Sequence, residues 1–459
     1  MKLMRYITAT AFASVCLVSN AFGQLDAIER LEEIQRELDR DLANLHQLES
    51  EYGRLDRRML EPLDLFSRSL IENERFTQAH DILDQAIQII RISEGLYSQS
   101  QFPFLIRHIE NHVNRGDWVN AREEMQHLDW LIKRGDNAIN EELVATILDL
   151  IDIHLRGVAD DFVANQSDHF RKAENLTNFV GRVARFNYEA GDVRIPAIMY
   201  KKVVQMYLQA VAVEAWGSTG LSLRSYSNTG YAISRSDARI SLYYSGLRSL
   251  TVIRDLYMQR ENPDLEGAGF AYFYIGDWEV LFNNPDAAGR AYKQGHNLLT
   301  AAGRTEEEIN LYTSQAQMLP LIEFHGSFES ALAASQDANT IDGEGSNTNF
   351  TFKQWSSQFP RTVAPFDYDE REGGLDEREY AIFSFNLLGL EQARRWYRGR
   401  LKKNVSSPRN LELINREITR SIDWLELTES IRDLHYRPKL VNGEAQTVSA
   451  TLYFQLADR

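Results

Sequence analysis

Residues 63–133 contain one pattern twice, and this repetition limits the fold more than any other feature of the sequence. Each copy predicts a helix, a short polar turn and a second helix with an alanine in its first turns. The two alanines, Ala79 and Ala121, are 42 residues apart. A small residue there lets antiparallel helices approach closely, and a larger apolar residue four positions later fills the groove between them. One hairpin cannot bury its apolar face alone, so the pattern predicts a stack of helical hairpins. The apolar positions are Leu63, Phe66, Leu70, Ala79, Leu83 and Ala86 in the first copy, and Leu105, Ile109, Ala121, Met125 and Leu128 in the second.

Apolar residues at steps of three or four predict helices on both sides of this pair. Residues 25–59 predict one long amphipathic helix, which either forms a coiled-coil homodimer or packs on the first hairpin. Residues 217–235 predict a loop that is either a binding element or plain surface. Thr305 and Glu308 form a capping-box signal. Further helices are expected over 141–155, 169–188, 195–216, 236–260 and 305–317.

A third repeat is the most complete. Tyr272, Ile275 and Gly276 supply aromatic, apolar and glycine positions, and Ala288 and Tyr292 follow in a second helix. The residues before that helix are Asn283, Asn284 and Pro285, with Asn284 expected as N-cap and Pro285 as first helical residue. In these positions the repeats resemble the tetratricopeptide family. The resemblance implies a solenoid of helical hairpins whose surface binds another protein.

The C-terminal segment changes to a period of two. Strands are predicted over 380–387, over 394–403 (with helix as the competing interpretation) and over 448–456, with a helix from Ser406 to about Trp424. The ordered set Ser406-Ser407, helix, Tyr436-Arg437-Pro438 and Asn442-Gly443-Glu444 resembles the C-terminal domain of the TonB family. The resemblance implies a small sheet with an available edge, which captures extended peptides by strand addition.

The fold class predicted from these patterns is mainly α, namely a tetratricopeptide-like helical-hairpin solenoid followed by a small α+β TonB-like domain. The expected divisions are a signal peptide at 1–23, the amphipathic helix at 24–60, the repeat domain at 61–332, a linker at 333–378 and the TonB-like domain at 379–459.

The residue pattern at the N-terminus predicts a signal peptide for export. Lys2 and Arg5 precede an apolar run, and Ala21-Phe22-Gly23 offers a cleavage site. Ala13 stands where a lipoprotein signal has leucine, so the only cysteine, Cys16, is not expected to carry lipid. Removing 1–23 takes away two positive charges and moves the net charge from −16 to −18. An acidic chain disfavours nucleic acid as partner, no later stretch predicts a transmembrane segment, and the periplasm is the expected location.

The sequence predicts no enzyme, cofactor or metal site. His108 and His112 lie four apart on a helix, but Glu110 is out of place for a zinc-protease motif and no third ligand is evident. No nucleophile or phosphate-binding motif appears. The alternative is an envelope enzyme, resembling a glycan hydrolase, with carboxylates in a helical groove.

The function predicted is that of a non-enzymatic periplasmic scaffold that binds a protein or an extended peptide. A homodimer formed through residues 25–59 is a further possibility that the sequence leaves open. Six basic residues within 394–403 either attract an acidic segment or discourage edge-to-edge aggregation. The residues expected to bind the partner are Tyr436, Arg437, Pro438, Tyr453, Arg395, Arg398, Tyr272 and Tyr292.

Overall fold

The structure is a computed structural model, and it describes residues 33–73, 75–134, 139–189, 192–216, 235–337, 348–352, 380–390, 406–417 and 424–455. The chain divides into two compact units, Met1–Ala138 and Ile139–Arg459, and each is described by itself. Within the described residues, none of the helices combines the length and apolar character needed to cross a membrane. The predicted signal peptide, the loop at 217–235 (apart from residue 235) and the strand at 394–403 lie outside the described residues.

The first unit is built from consecutive antiparallel helices. They are α1 (33–52), α2 (Leu60–Glu72), α3 (Phe76–Ser93), α4 (Phe102–Asn114) and α5 (Trp118–Arg134), and α2–α3, α3–α4 and α4–α5 are packed neighbours. The helical hairpins predicted for this region are therefore confirmed.

The apolar positions of both sequence copies lie in the core of this unit. Every one of the eleven is buried, and Ala79 and Ala121 have no exposed surface. Polar contacts fix the order of the helices: Arg107 of α4 pairs with Asp64 of α2, and the Asn111 side-chain amide donates to the Phe76 carbonyl at 2.9 Å. The first turn of α3 is thereby held beside α4.

The prediction of one helix through residue 59 is wrong. The helix ends at residue 52 because Gly53 has φ +92°, a conformation that terminates helices. A short 3₁₀ turn, Arg57–Met59, follows, with the Asp56 side chain as its N-cap. Helix α1 packs within its own unit, since Leu38 and Leu45 are buried and Gln85 of α3 donates to Glu49 at 2.9 Å.

The second unit continues the helical pairing. The pairs α6–α7, α8–α9, α9–α10 and α10–α11 are packed neighbours. The helix bounds are α6 (Glu141–Asp160), α7 (Val163–Asn187), α8 (Arg194–Trp216), α9 (Arg235–Met258), α10 (Leu265–Leu281), α11 (Pro285–Ala301), α12 (Glu306–Thr313), α13 (Phe328–Asp337) and α14 (Trp424–Arg432). The predicted capping box of α12 is present, with Thr305 and Glu308 bonded reciprocally.

The third sequence repeat forms the pair α10–α11. A Cβ atom at Gly276 would lie 2.3 Å from the Tyr292 ring, so only glycine leaves room for this buried tyrosine. A second close approach brings Gly269 of α10 against Gly295 of α11. Pro285 begins α11 as predicted, and the Asn284 side chain makes no capping bond there.

The C-terminal region contains a four-stranded sheet in the order β2-β8-β3-β4. Its strands are β2 (Thr348–Phe352), β3 (Tyr380–Leu387), β4 (Arg409–Glu417) and β8 (Val448–Gln455). Strand β8 runs antiparallel to β3 and parallel to β2, and β3 runs antiparallel to β4. Two short pairs complete the region, β1 (Gln317–Leu319) with β5 (His435–Arg437) and β6 (Lys439–Val441) with β7 (Glu444–Gln446).

Three predictions for this region have clear outcomes. The strands at 380–387 and at 448–455 are confirmed. The helix predicted from Ser406 is wrong: residues 409–417 form β4, and the helix of this region is α14, which begins at Trp424. The predicted linker at 333–378 includes the end of α13 and strand β2, and its role as a linker stays a prediction.

One face of the sheet packs on α14. Buried side chains of β3 and β8 meet Leu427, Ile431, Leu434 and Tyr436 in one apolar cluster. Arg416 of β4 lies over the Trp424 ring, 4.9 Å from its centroid, and covers part of the same face. The sheet is thus anchored by α14 on one side, and β4 stands at its end.

Candidate functional site

The residues predicted to bind a partner are mostly interior. Tyr436, Arg437, Pro438 and Tyr292 are buried, and Tyr272 is half-buried beneath the Arg254 guanidinium. The side chain of Tyr453, together with Arg395 and Arg398, lies outside the described residues. The structure does not bring the five described residues together on one surface, and the role of all eight in partner binding stays a prediction.

Arg437 instead forms the centre of a buried polar network. Its Nε and Nη2 atoms donate to the two carboxylate oxygens of Asp277 at 2.8 and 2.5 Å. Its Nη1 donates to the Tyr312 hydroxyl at 2.6 Å and to Gln317 Oε1 at 2.7 Å. The Tyr292 hydroxyl donates to Asp277 Oδ1 at 2.9 Å. This bidentate pair connects β5 to α10 and is a structural element of the second unit.

The electrostatics of the network agree with that role. Burial disfavours the charged guanidinium, but the Asp277 carboxylate outweighs this and holds the pKa of Arg437 well above its ordinary value. Burial and the nearby Asp277 charge raise the pKa of Tyr292 well above its ordinary value. Arg437 and Tyr292 therefore keep one protonation state throughout the physiological range, as expected of side chains that hold the fold.

Strand β4 is the first candidate interaction site. It lies at one end of the sheet order, paired with β3 on one side. Residues 412–416 are exposed, including two large apolar side chains, Leu413 (43% exposed) and Ile414 (59% exposed). Among the described strands, nothing pairs with the other side of β4. An edge of this kind offers backbone donors and acceptors to an extended chain.

A groove between α9 and α11 is a second surface feature. Its volume is about 740 Å³, and Tyr243, Tyr244 and Phe282 contribute aromatic rings to its lining. Its polar groups are largely engaged internally: the Tyr243 hydroxyl donates to Glu279 at 3.0 Å, and Asn284 donates to the same carboxylate at 2.9 Å. The groove therefore offers fewer directed contacts to a partner than β4 does.

Acidic and basic side chains converge where α6 meets α8. Lys201 Nζ, on a buried side chain, donates to both oxygens of Asp152 at 2.7 and 2.5 Å. Burial raises the pKa of Asp152 to about 6 although Lys201 opposes the shift, and Glu323 and Asp149 add to the increase. Burial also raises the pKa of Asp149, one turn earlier on α6. Carboxyl groups with raised pKa values are the kind that acts in general acid catalysis.

Three histidines form a cluster in the first unit. His80 of α3 faces His108 and His112 of α4, with ring centroids 4.1 and 5.0 Å away. His108 and His112 are buried, and their rings lie edge to face at 5.1 Å. Burial lowers the pKa of His108 to about 3, so this ring is neutral at physiological pH. In sequence reasoning the pair lacked a third ligand, and the structure places His80 beside it.

No family model and no curated protein matches this chain. The class is defined by the fold alone: a mainly helical protein with tetratricopeptide-like packing of paired helices, followed by a small C-terminal β region.

Sequence reasoning missed three of these elements. Asp277 had a local signal, because it directly follows the repeat glycine in a mostly apolar stretch that contains only one other acidic residue, Glu279. Strand β4 also had a local signal, which is the two-residue spacing of Leu411 and Leu413. His80 had none, since only the pairing of α3 with α4 brings it to the other two histidines.

Proposed function

We propose that this protein is a helical-repeat scaffold that captures an extended peptide segment by strand addition to β4. The observation that supports the proposal is the position of β4 at the end of the sheet with Leu413 and Ile414 exposed. Backbone hydrogen bonds along such an edge give affinity, and side chains that alternate along the peptide give selectivity.

The occupant that fits this edge is an extended segment with apolar side chains at alternate positions. Leu413 is paired with Phe383 of β3, and cross-strand partners share a face, so Leu413 faces the side of the sheet that α14 covers. An apolar peptide residue on that side would extend the apolar surface that Leu413 leaves exposed. Two charged residues of the same strand, Glu412 and Arg416, lie near Leu413 and disfavour an unselective hydrophobic partner.

Lysine at the β4 edge is expected to weaken peptide capture. Peptides of twelve residues would be selected on the full-length protein from a displayed random library, and the tightest would be measured by fluorescence anisotropy. The double variant Leu413→Lys/Ile414→Lys is expected to weaken binding by on the order of tenfold or more, equal to about 1.4 kcal/mol, because lysine on an edge strand opposes further pairing. A peptide analogue with alternate N-methylated amides is expected to lose affinity in the same way, since it lacks half of its backbone donors.

Leu311→Lys is the matched control, since Leu311 is equally exposed on α12 and lies outside the sheet. The proposal is wrong if the selected peptides bind the β4 double variant as tightly as the wild type, or if N-methylation has no effect.

The remaining parts of the proposal come from the sequence. From the sequence we propose that the C-terminal module is TonB-like, that the protein is periplasmic and that its paired helices act as a scaffold. Dimerisation through 25–59 also stays a proposal, with light scattering of the full-length protein as its test.

Hydrolysis by carboxylates is the second candidate function. It is favoured by Asp152, whose raised pKa and contact with Lys201 suit an acid–base residue. If the protein is a glycan hydrolase, the wild type releases reducing ends from soluble cell-wall glycan, and Asp152→Asn lowers the rate by about 10²-fold or more. Asp168→Asn, at an exposed carboxylate on α7, is the control. Absence of turnover in the wild type, or equal rates in Asp152→Asn, rules this function out.

A further inference from the structure

The cluster of His80, His108 and His112 has the geometry of a metal centre. Each histidine offers one ring nitrogen, and the three nitrogens lie within 4.8 Å of one another. Ligand nitrogens about 2.0–2.1 Å from a tetrahedral zinc ion are separated by about 3.3 Å. The cluster therefore has to close by at most about 1.5 Å, and His80, which is 29% exposed, has room to make that adjustment.

Unsatisfied nitrogens point to a missing ligand. Nδ1 of His80 and both ring nitrogens of His108 are buried and make no hydrogen bond within the described part of the chain. His108 is only 4% exposed, so water does not reach it easily. A buried polar atom without a partner costs free energy, and native proteins rarely leave such atoms unsatisfied unless an ion or ligand completes them.

Two carboxylates, those of Asp117 and Asp84, lie near ring nitrogens of the cluster, as carboxylates do in many metal sites. Asp117 Oδ2 is 3.2 Å from His112 Nδ1, which leaves Nε2 of that ring as the donor atom. The Asp84 carboxylate lies 3.5 Å from His108 Nε2 and 3.7 Å from His80 Nε2, without a hydrogen bond to either nitrogen. A carboxylate that is hydrogen-bonded to a ligating histidine, as Asp117 is to His112, fixes the tautomer of the ring and makes it a better donor.

We propose that His80, His108 and His112 bind one divalent first-row transition ion, with Zn²⁺ as the ion that this donor set suits best. Three imidazole ligands favour zinc, copper, nickel and cobalt over magnesium or calcium, which prefer oxygen ligands. Three protein ligands leave a fourth position for water or for Asp84, whose side chain is largely exposed and can turn toward the ion.

The ion would connect two hairpins of the first unit. His80 belongs to the hairpin α2–α3, whereas His108 and His112 belong to the hairpin α4–α5. Consecutive hairpins in a helical stack are held mainly by apolar contacts, so a shared ion adds a directional bond at their junction. Metal binding would thereby fix how the first hairpin sits on the second.

Zinc binding is tested by calorimetric titration of ZnCl₂ into the full-length, tag-free protein after removal of metals with a chelator. We expect one ion per chain. His80→Gln and His112→Gln are each expected to weaken binding by on the order of a hundredfold or more, and Asp84→Asn by about tenfold. Zinc at a concentration that just saturates the wild type is expected to raise its thermal unfolding midpoint by about 5 °C and to raise that of His80→Gln much less.

His46→Gln and His127→Gln are the matched controls, since both histidines lie in the same unit but outside the cluster. Circular dichroism of the metal-free variants shows whether each is folded, and His80 is the informative position because its ring is partly exposed. Absence of stoichiometric binding in the wild type, equal affinity in His80→Gln, or equal loss in the controls would overturn the metal site.

Discussion

Replacing Arg437 with methionine is expected to lower the free energy of unfolding of the second unit by about 3–5 kcal/mol. The reason is electrostatic: the Asp277 carboxylate would remain buried without the guanidinium that bonds to both of its oxygens. Tyr312 and Gln317 would lose a partner at the same time. Urea unfolding followed by tryptophan fluorescence measures the loss, and hydrogen exchange in α10 shows whether it is centred at Asp277.

The double variant Asp277→Leu/Arg437→Met separates charge from packing. Removing both charges takes away the uncompensated carboxylate, so the double variant is expected to regain most of the stability lost in the single variant. Arg304→Met is the comparison nearer the surface. Arg304 pairs with Glu266, which is partly exposed, and with Glu329, which is exposed, so its replacement is expected to cost less than that of Arg437, about 1 kcal/mol. A double variant no more stable than Arg437→Met would contradict the electrostatic explanation.

The helical part of the fold could be predicted because its signals are local. An alanine near the start of a helix and apolar residues at steps of three and four are readable in a window of about 15 residues. The resemblance to the tetratricopeptide family placed Gly276, Ala288 and Tyr292 in one hairpin, and the structure shows the Tyr292 ring in the space that a Cβ atom at Gly276 would take. In each case one hairpin contains both the signal and the contact that it predicts.

The C-terminal region was harder to predict because its local signals conflict. Ser406-Ser407-Pro408 is a typical helix start, yet residues 409–417 form β4. Pairing with β3 decides the structure there, and sheet pairing depends on residues distant in sequence. The short helix α14 then supplies the apolar face on which the sheet packs.

The candidate sites show the same limit. Partner binding by Tyr436-Arg437-Pro438 stays a prediction, whereas the bond from Arg437 to Asp277, 160 residues earlier, has no local pattern that connects its two residues. His80 is 28 positions before His108 and becomes a third ligand candidate only through the packing of α3 on α4. Sites formed by residues on different elements need the fold before they can be recognised.

Replacing Asp161 with asparagine is expected to lower the free energy of unfolding by about 2–3 kcal/mol. Asp161 lies between α6 and α7, and its carboxylate accepts from His169 Nε2 at 2.8 Å and from the Phe162 backbone N–H at 2.7 Å. His169 continues the chain through a 2.9 Å bond between its Nδ1 and that of His154. Asparagine offers only one acceptor oxygen, so one of the two donors would face an amide NH₂ group in a site that excludes water. Urea unfolding at pH 7 measures the change.

Asp160→Asn is the matched variant at the adjacent position. Its effect on stability is expected to differ from that of Asp161→Asn because the carboxyl groups of Asp160 and Asp161 have different partners. Burial raises the pKa of Asp160 from 3.8 to about 7, although Arg156 opposes the shift. Between these values the folded chain keeps a proton that the unfolded chain releases, so the contribution of Asp160 to stability is lost as pH rises through this window. Asparagine has no proton to release. The stability of Asp160→Asn relative to wild type is therefore expected to rise by about 1–2 kcal/mol from pH 5 to pH 7.5, a value reduced for partial solvent access. If the difference in unfolding free energy between Asp160→Asn and wild type is the same from pH 5 to pH 7.5, the carboxyl group of Asp160 is already ionised in the folded chain. Asp160 and Asp161 would then not differ as their environments indicate.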